Sequence, residues 1–203
     1  DATSTRTALP DYAELHCLTH FSFQRGASSP EELVRRAWAL GYTALAITDE
    51  CSVAGVVRAW RAHKVCARAP EPGDAFDDEL SAVRAARRAA GVSAPLQLLF
   101  GSEFRFDGQG TLVAIARDLH SWGDLCSFIT ACRRAAPKGH HALPPLAQAL
   151  AALRRCALLW APAKEGSTAI DSIAACALQT GVSGPFDSKI TLLAELHGGA
   201  DDA

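Results

Sequence analysis

The chain has 203 residues, 49% of them apolar, and a formal net charge of −2. That is long enough for one large domain with a full core, too apolar for a disordered chain, and without the overall positive field of a nucleic-acid binder. No apolar run approaches the roughly 18 to 20 residues of a membrane helix, and the opening Asp1-Ala-Thr-Ser-Thr-Arg lacks the apolar core of a signal peptide, so no membrane partner and a cytoplasmic location are expected. Seven cysteines at irregular spacings, with no C-x-x-C pair, argue against a disulfide framework and a zinc ribbon. With no methionine in it, the chain reads as a piece of a longer protein.

A flexible segment is expected over 1–11, then a first strand through Glu14-Leu-His16. Ser29 before Pro30, with Glu32 three residues on, is a helix start with a capping box. Leu33, Val34, Ala37, Trp38 and Leu40 give a helical apolar stripe that Gly41 stops. Ala44 to Thr48 is a second strand, making a β-α-β unit with a right-handed crossover. A helix over 56–64 follows, with Val56, Val57 and Trp60 expected on its buried side. Residues 66–95 change character: an acidic loop, then an Ala/Arg-rich helix whose Arg84, Arg87 and Arg88 are expected to be solvated.

Leu96 to Phe100 is a third strand ending before Gly101-Ser102-Glu103, and Thr111 to Ala116 a fourth, completing a hairpin or adding a parallel strand. Helices over 121–134 and 145–155 precede a fifth strand at 157–161. Segment 163–189 is a Ser/Gly/Thr-rich variable insertion, and a final strand from Ile190 ends near His197. About six strands alternating with helices define an α/β fold.

Strand ends in such a fold face a common cleft, and here they deliver His16, Asp49 and Glu103. A histidine and two carboxylates so gathered could hold a divalent ion and lower the pKa of its water for attack on a phosphate ester. Carboxylates at strand ends also serve as helix caps, and a histidine beside an apolar strand is commonly a hydrogen-bonded core residue. Arg133, Arg134 and Lys138 form the single basic cluster, open to phosphate contact or to solvation at a helix C-terminus. Adjacent strand residues face opposite ways, so His16 and Cys17 cannot act as a nucleophile pair.

Several stretches together resemble the PHP (polymerase and histidinol phosphatase) domain: Tyr12-Ala-Glu-Leu-His-Cys-Leu, Phe21-Ser-Phe-Gln-Arg-Gly-Ala-Ser, Pro30-Glu-Glu-Leu, Gly41-Tyr-Thr-Ala-Leu-Ala-Ile-Thr-Asp-Glu-Cys, Ala54-Gly-Val-Val-Arg-Ala-Trp and Gly101-Ser-Glu-Phe. Arg133-Arg-Ala-Ala-Pro-Lys-Gly and Ala157-Leu-Leu-Trp-Ala-Pro are similar to later parts of it. The likeness is strongest to the version that opens the error-prone, DnaE-like C-family DNA polymerases of bacteria. It implies a distorted (β/α) PHP-type barrel of seven strands over 12–203, incomplete if the chain is a fragment, with 66–95 and 163–189 as variable insertions.

Active members of that family carry up to three metals on a pattern that begins with two histidines one residue apart. Here His16 holds the first position and Leu18 the second. The family's Asp-His pair is Asp49-Glu50, and Thr111 stands where active relatives have a histidine. Glu103 matches the family's glutamate, while the late Asp-x-His motif has no counterpart, His20, His140, His141 and His197 being the remaining candidates. The resemblance therefore implies a remnant site at His16, Asp49 and Glu103, without the nitrogen ligands that favour zinc and manganese. That site would hold at most one weak ion (magnesium, manganese or zinc).

No catalytic residue is assigned within the chain, and the polymerase aspartates of the family lie downstream. The expected role is a structural or protein-contact module of a translesion polymerase that uses magnesium. Its partners would be the rest of the polymerase, DNA through the whole enzyme, and other damage-response proteins. The alternatives are a working metal-dependent phosphoesterase or 3′-5′ exonuclease, and an adaptor that binds a repair partner through 133–141.

Overall fold

A computed structural model describes residues 12–68, 81, 85, 87, 95–162 and 190–192. Among them lie β1 (Ala13–Cys17), α1 (Pro30–Leu40), β2 (Ala44–Ile47), α2 (Val56–Ala67), β3 (Gln97–Phe106), β4 (Gly110–Ile115), α3 (Leu119–Arg134), α4 (Leu146–Ala152), β5 (Ala157–Pro162) and β6 (Ile190–Leu192). The expected segment 1–11, most of 66–95, all of 163–189, and Arg84, Arg88 and His197 lie outside the described residues.

The six strands form one sheet in chain order, and among the described residues β1 and β6 are its two edges. β1, β2 and β3 are parallel, joined by α1 and α2, whereas β3, β4 and β5 run antiparallel before β6 pairs parallel with β5. The α1 start is as the sequence predicts. Ser29 Oγ accepts from the Glu32 N–H at 3.2 Å, and Glu32 Oε2 accepts from the Ser29 N–H at 2.7 Å. Gly41 closes the helix in the left-handed conformation.

One core cluster packs α1 and α2 onto the β2 region, through Val34, Ala37, Leu45, Ile47, Ala59 and Ala62. Another lies where α3 and α4 cover β3, β4 and β5; there Phe104 meets Phe128 edge to face at 4.9 Å. A third, around Ala46, Val113, Ile115 and Leu159, lies on strand residues alone. Burial of these side chains is the main term holding the sheet to its helices, at about 25 cal/mol per Å² of apolar surface.

The structure corrects three local expectations. Val57 and Trp60 are 57% and 45% exposed, and the buried residues of α2 are Val56, Ala59, Ala62 and Cys66. Small alanines let α1 approach closely there, while Trp60 turns outward under the Lys64 ammonium, 4.1 Å from its ring centroid. Arg87 is buried rather than solvated: its guanidinium donates to the Trp38 carbonyl and lies 4.7 Å from the Trp38 ring centroid. The third strand also does not stop before Glu103. β3 continues to Phe106 because β4 folds back on it as a hairpin, pairing Phe106 with Gly110.

Candidate metal centre at the strand ends

β3 changes partners just before Glu103. Its parallel pairing with β2 ends at Phe100 opposite Ile47, and from Gly101 onward it pairs with β4. Beyond the end of β2, a single parallel bridge joins Glu50 to Glu103, with the Cys51 N–H donating to the Glu103 carbonyl at 2.9 Å. Glu103 therefore reaches the Asp49–Glu50 end of β2 from the middle of its own strand.

β1 brings His16 to the same place through an irregularity. Glu14 pairs with Leu45 and Cys17 with Ile47, so β1 uses one residue more than β2 between these points. Such a bulge re-aims a side chain locally. His16 Nε2 lies 2.6 Å from Glu103 Oε2. The other Glu103 oxygen, Oε1, accepts from the Arg25 guanidinium, whose second terminal nitrogen lies 3.4 Å from Oε2. Arg25 also reaches Glu50 Oε2 at 3.2 Å.

Asp49, 1% exposed, is turned away from that cluster. Its Oδ1 accepts from the Thr19 N–H at 2.8 Å and the Ser22 hydroxyl at 2.7 Å, and the Thr19 hydroxyl lies 2.9 Å from Oδ2. The Ser102 hydroxyl donates to the Asp49 carbonyl at 2.7 Å, which ties β3 to the same turn. The three residues predicted as ligands thus lie around the end of β2, Glu103 from within β3, but they do not converge on one point. Two pair with Arg25 or with each other, and the third caps the loop after β1.

In this arrangement the carboxylates are engaged by the chain's own donors. Both Glu103 oxygens face protein donors, Asp49 is ringed by N–H and O–H groups, and Leu18 offers no donor atom. Among the described residues no group of three or more His, Cys, Asp or Glu side chains could hold a metal.

Of the basic cluster, Arg133 faces this site. Its Nε donates to the Cys51 carbonyl at 3.0 Å and its terminal nitrogen to the Glu50 carbonyl at 3.2 Å, and Arg133, Arg134 and Lys138 are all exposed. His141 lies nearby with its pKa lowered, first by burial and then by the Arg133 charge. Burial pushes the Cys17 and Cys51 thiols up to about 12, so neither supplies a thiolate near neutral pH.

Sequence reasoning missed the donors, Thr19, Ser22, Ser102 and above all Arg25. Thr19, Ser22 and Arg25 were signalled only by the polar run Thr19-His-Phe-Ser-Phe-Gln-Arg25 directly after a strand, and Ser102 only by its place beside Glu103.

The PHP domain family matches residues 14–187, most of the chain, and the chain belongs to that family. It is similar over most of its length to bacterial polymerases. An error-prone DNA polymerase from Azoarcus sp. is 41% identical over 97% of this chain, and one from Pseudomonas aeruginosa 43% over 94%. The chain spans only 18% and 15% of those two proteins.

Among solved structures, a Bifidobacterium adolescentis protein described as a metal-dependent phosphoesterase aligns over 84% of this chain and 76% of its own, at a TM-score of 0.50 and 15% identity. An amidohydrolase from Chromobacterium violaceum aligns over 83% and 74%, again at 0.50 and 15%. These likenesses bear on the fold alone, and the mixed α/β sheet of the described residues is consistent with a PHP-type barrel.

Proposed function

We propose that this chain is the PHP domain of an error-prone, translesion DNA polymerase, and that it serves as a structural and protein-contact module with no metal chemistry of its own. The homology to error-prone polymerases supports the first half. The second rests on one observation: the oxygens of Asp49 and Glu103 are engaged by the chain's own donors. A carboxylate that accepts two or three short hydrogen bonds must lose them before it can ligate, and each lost charged bond costs about 1.5–3 kcal/mol. Leu18 and Glu50, standing where active relatives carry histidine, supply no nitrogen ligand in return.

On this reading the nucleotidyl transfer, its magnesium and the grip on DNA belong to the rest of the polymerase. No helix among the described residues is long and apolar enough to cross a membrane.

Calorimetric titration of the purified chain with zinc, manganese and magnesium tests the proposal, alongside hydrolysis of a phosphodiester and of a 3′-recessed DNA duplex. Absent or millimolar binding with no hydrolysis is expected. Micromolar binding of two or more ions with metal-dependent hydrolysis would establish the phosphoesterase reading instead.

A further inference from the structure

We propose that Arg25 is a built-in cation of this domain: its guanidinium joins Glu50 and Glu103 and locks the loop after β1 onto the end of β2 and the middle of β3, so that the fold needs no divalent ion there. The inference deepens the metal-free reading above and rests on it. Three carboxylates, Asp49, Glu50 and Glu103, collect where β2 ends beside β3, and the backbones of Glu50 and Glu103 are bridged directly. The Asp49 oxygens are satisfied in place by Thr19 and Ser22, but Glu103 is fully buried and Glu50 lies beside it. Two such carboxylates side by side repel unless a cation stands between them.

Arg25 supplies it with the right shape. Its fork meets Glu103 with both terminal nitrogens and Glu50 with one of them. A guanidinium holds two carboxylates in fixed geometry, which a lysine ammonium on a flexible stem does not.

The loop is built to present that side chain. The Ser22 carbonyl accepts from the Arg25 N–H at 3.0 Å and the Gly26 N–H at 2.9 Å, and the Ser28 carbonyl accepts from the His20 N–H at 2.8 Å. Gln24, directly before Arg25, is in the left-handed region at φ 62°. A Cβ at Gly26 would lie 1.9 Å from the Thr19 carbonyl oxygen, so only glycine permits this closure. A non-glycine residue at positive φ persists where its surroundings over-determine it. Here those surroundings aim Arg25 back at Glu103. Arg133 supports the same turn from the other side through the Glu50 and Cys51 carbonyls, leaving the Glu50 side chain to Arg25.

The test is thermal unfolding of the purified chain and its Arg25→Lys, Arg25→Gln and Arg25→Gln/Glu103→Gln variants, with EDTA and with magnesium, manganese or zinc. Breaking a buried pair by removing one partner is strongly destabilising, because it strands the other charge. Arg25→Gln should therefore melt about 6 °C or more below the wild type, and Arg25→Lys should recover less than half of that loss. The double variant, with the stranded charge removed, should melt above Arg25→Gln.

The wild type should be indifferent to EDTA and to all three ions. A rise of several degrees with zinc or manganese in the wild type would sink the metal-free reading itself. An ion-indifferent wild type with Arg25→Gln melting alongside it, or with the double variant no better than Arg25→Gln, overturns the role of Arg25 and leaves that reading intact. If Arg25→Gln yields no folded protein by circular dichroism, a folded double variant supports the proposal and an unfolded one overturns it.

Discussion

The Asp49 carboxylate and Thr19 hold the ends of two strands together: Oδ1 accepts from the Thr19 N–H at 2.8 Å, and the Thr19 hydroxyl lies 2.9 Å from Oδ2. Both residues are buried, and the Ser22 hydroxyl completes the set at 2.7 Å. Asp49→Ala leaves these donors without an acceptor in a dry site, which is expected to lower stability by about 2–4 kcal/mol. Asp49→Asn keeps one acceptor oxygen and should lose less. Urea unfolding of the three proteins checks this; equal midpoints for wild type and alanine variant would show that the bonds contribute nothing net.

The same carboxylate limits the residue at Gly55, which opens α2. A Cβ there would come 2.8 Å from Asp49 Oδ2, 3.2 Å from Pro30 Cγ and 3.3 Å from Thr19 Cγ2. Because Thr19 and Ser22 pin Asp49, it cannot swing aside, so Gly55→Ala is expected to lose about 1–3 kcal/mol by overpacking. Combined with Asp49→Ala, the clash partner is gone and the second loss should shrink. Additive losses in that double-mutant cycle would place the strain elsewhere.

Local signals carried the fold a long way. The Ser29–Glu32 box and Gly41 bound α1 as the sequence predicts, and the parallel β1-α1-β2 unit follows from them. Where reasoning from periodicity failed, tertiary contacts had decided. Val57 and Trp60 are as apolar as the residues that are buried, but α1 selects the face of α2 that carries alanines. Arg87 looks solvated in any helical pattern, yet Trp38 offers it both a ring face and a carbonyl.

At the site, the nearness of His16, Asp49 and Glu103 to the end of β2 was legible, because each follows or closes an apolar run of a parallel strand. Their saturation was not legible, since it depends on a loop closure that folds Arg25 back across a long span of chain to Glu103. Arg133, open in the sequence to phosphate contact or to solvation at a helix end, donates to the Glu50 and Cys51 carbonyls, a contact that no pattern in the sequence announces.

Arg133→Ala should therefore act on stability. Arg133 is exposed, but losing its two charge-assisted bonds to backbone carbonyls is expected to cost about 1 kcal/mol. Arg134→Ala and Lys138→Ala, at exposed positions, should stay within about 0.5 kcal/mol of the wild type. Thermal melts of the three single variants make the comparison. Equal stability for Arg133→Ala and Arg134→Ala would remove the capping role and return Arg133 to the candidates for contact with phosphate.

Acid stability should report on α3. Asp118 caps that helix, and its pKa is held below the usual aspartate value first by the Ser121 backbone N–H at 2.8 Å and then by the Ser121 hydroxyl. Asp124 is lowered foremost by its hydrogen bond from Arg155. A carboxylate with a lower pKa in the folded state binds fewer protons there than in the unfolded chain. Stability then rises with pH across the interval between the two values and is flat above it. The contribution is complete above the ordinary aspartate range near pH 4 and is lost as pH falls through the folded values. Asp118→Asn keeps a capping oxygen without titrating, so paired with Asp124→Asn it should show a shallower acid limb than the wild type. Urea midpoints measured from about pH 2.5 to 6 decide: the gap between the proteins should be constant above about pH 5 and close below pH 4. A gap that changes at higher pH would point to another titrating group, and parallel acid limbs would show that neither aspartate is linked to folding.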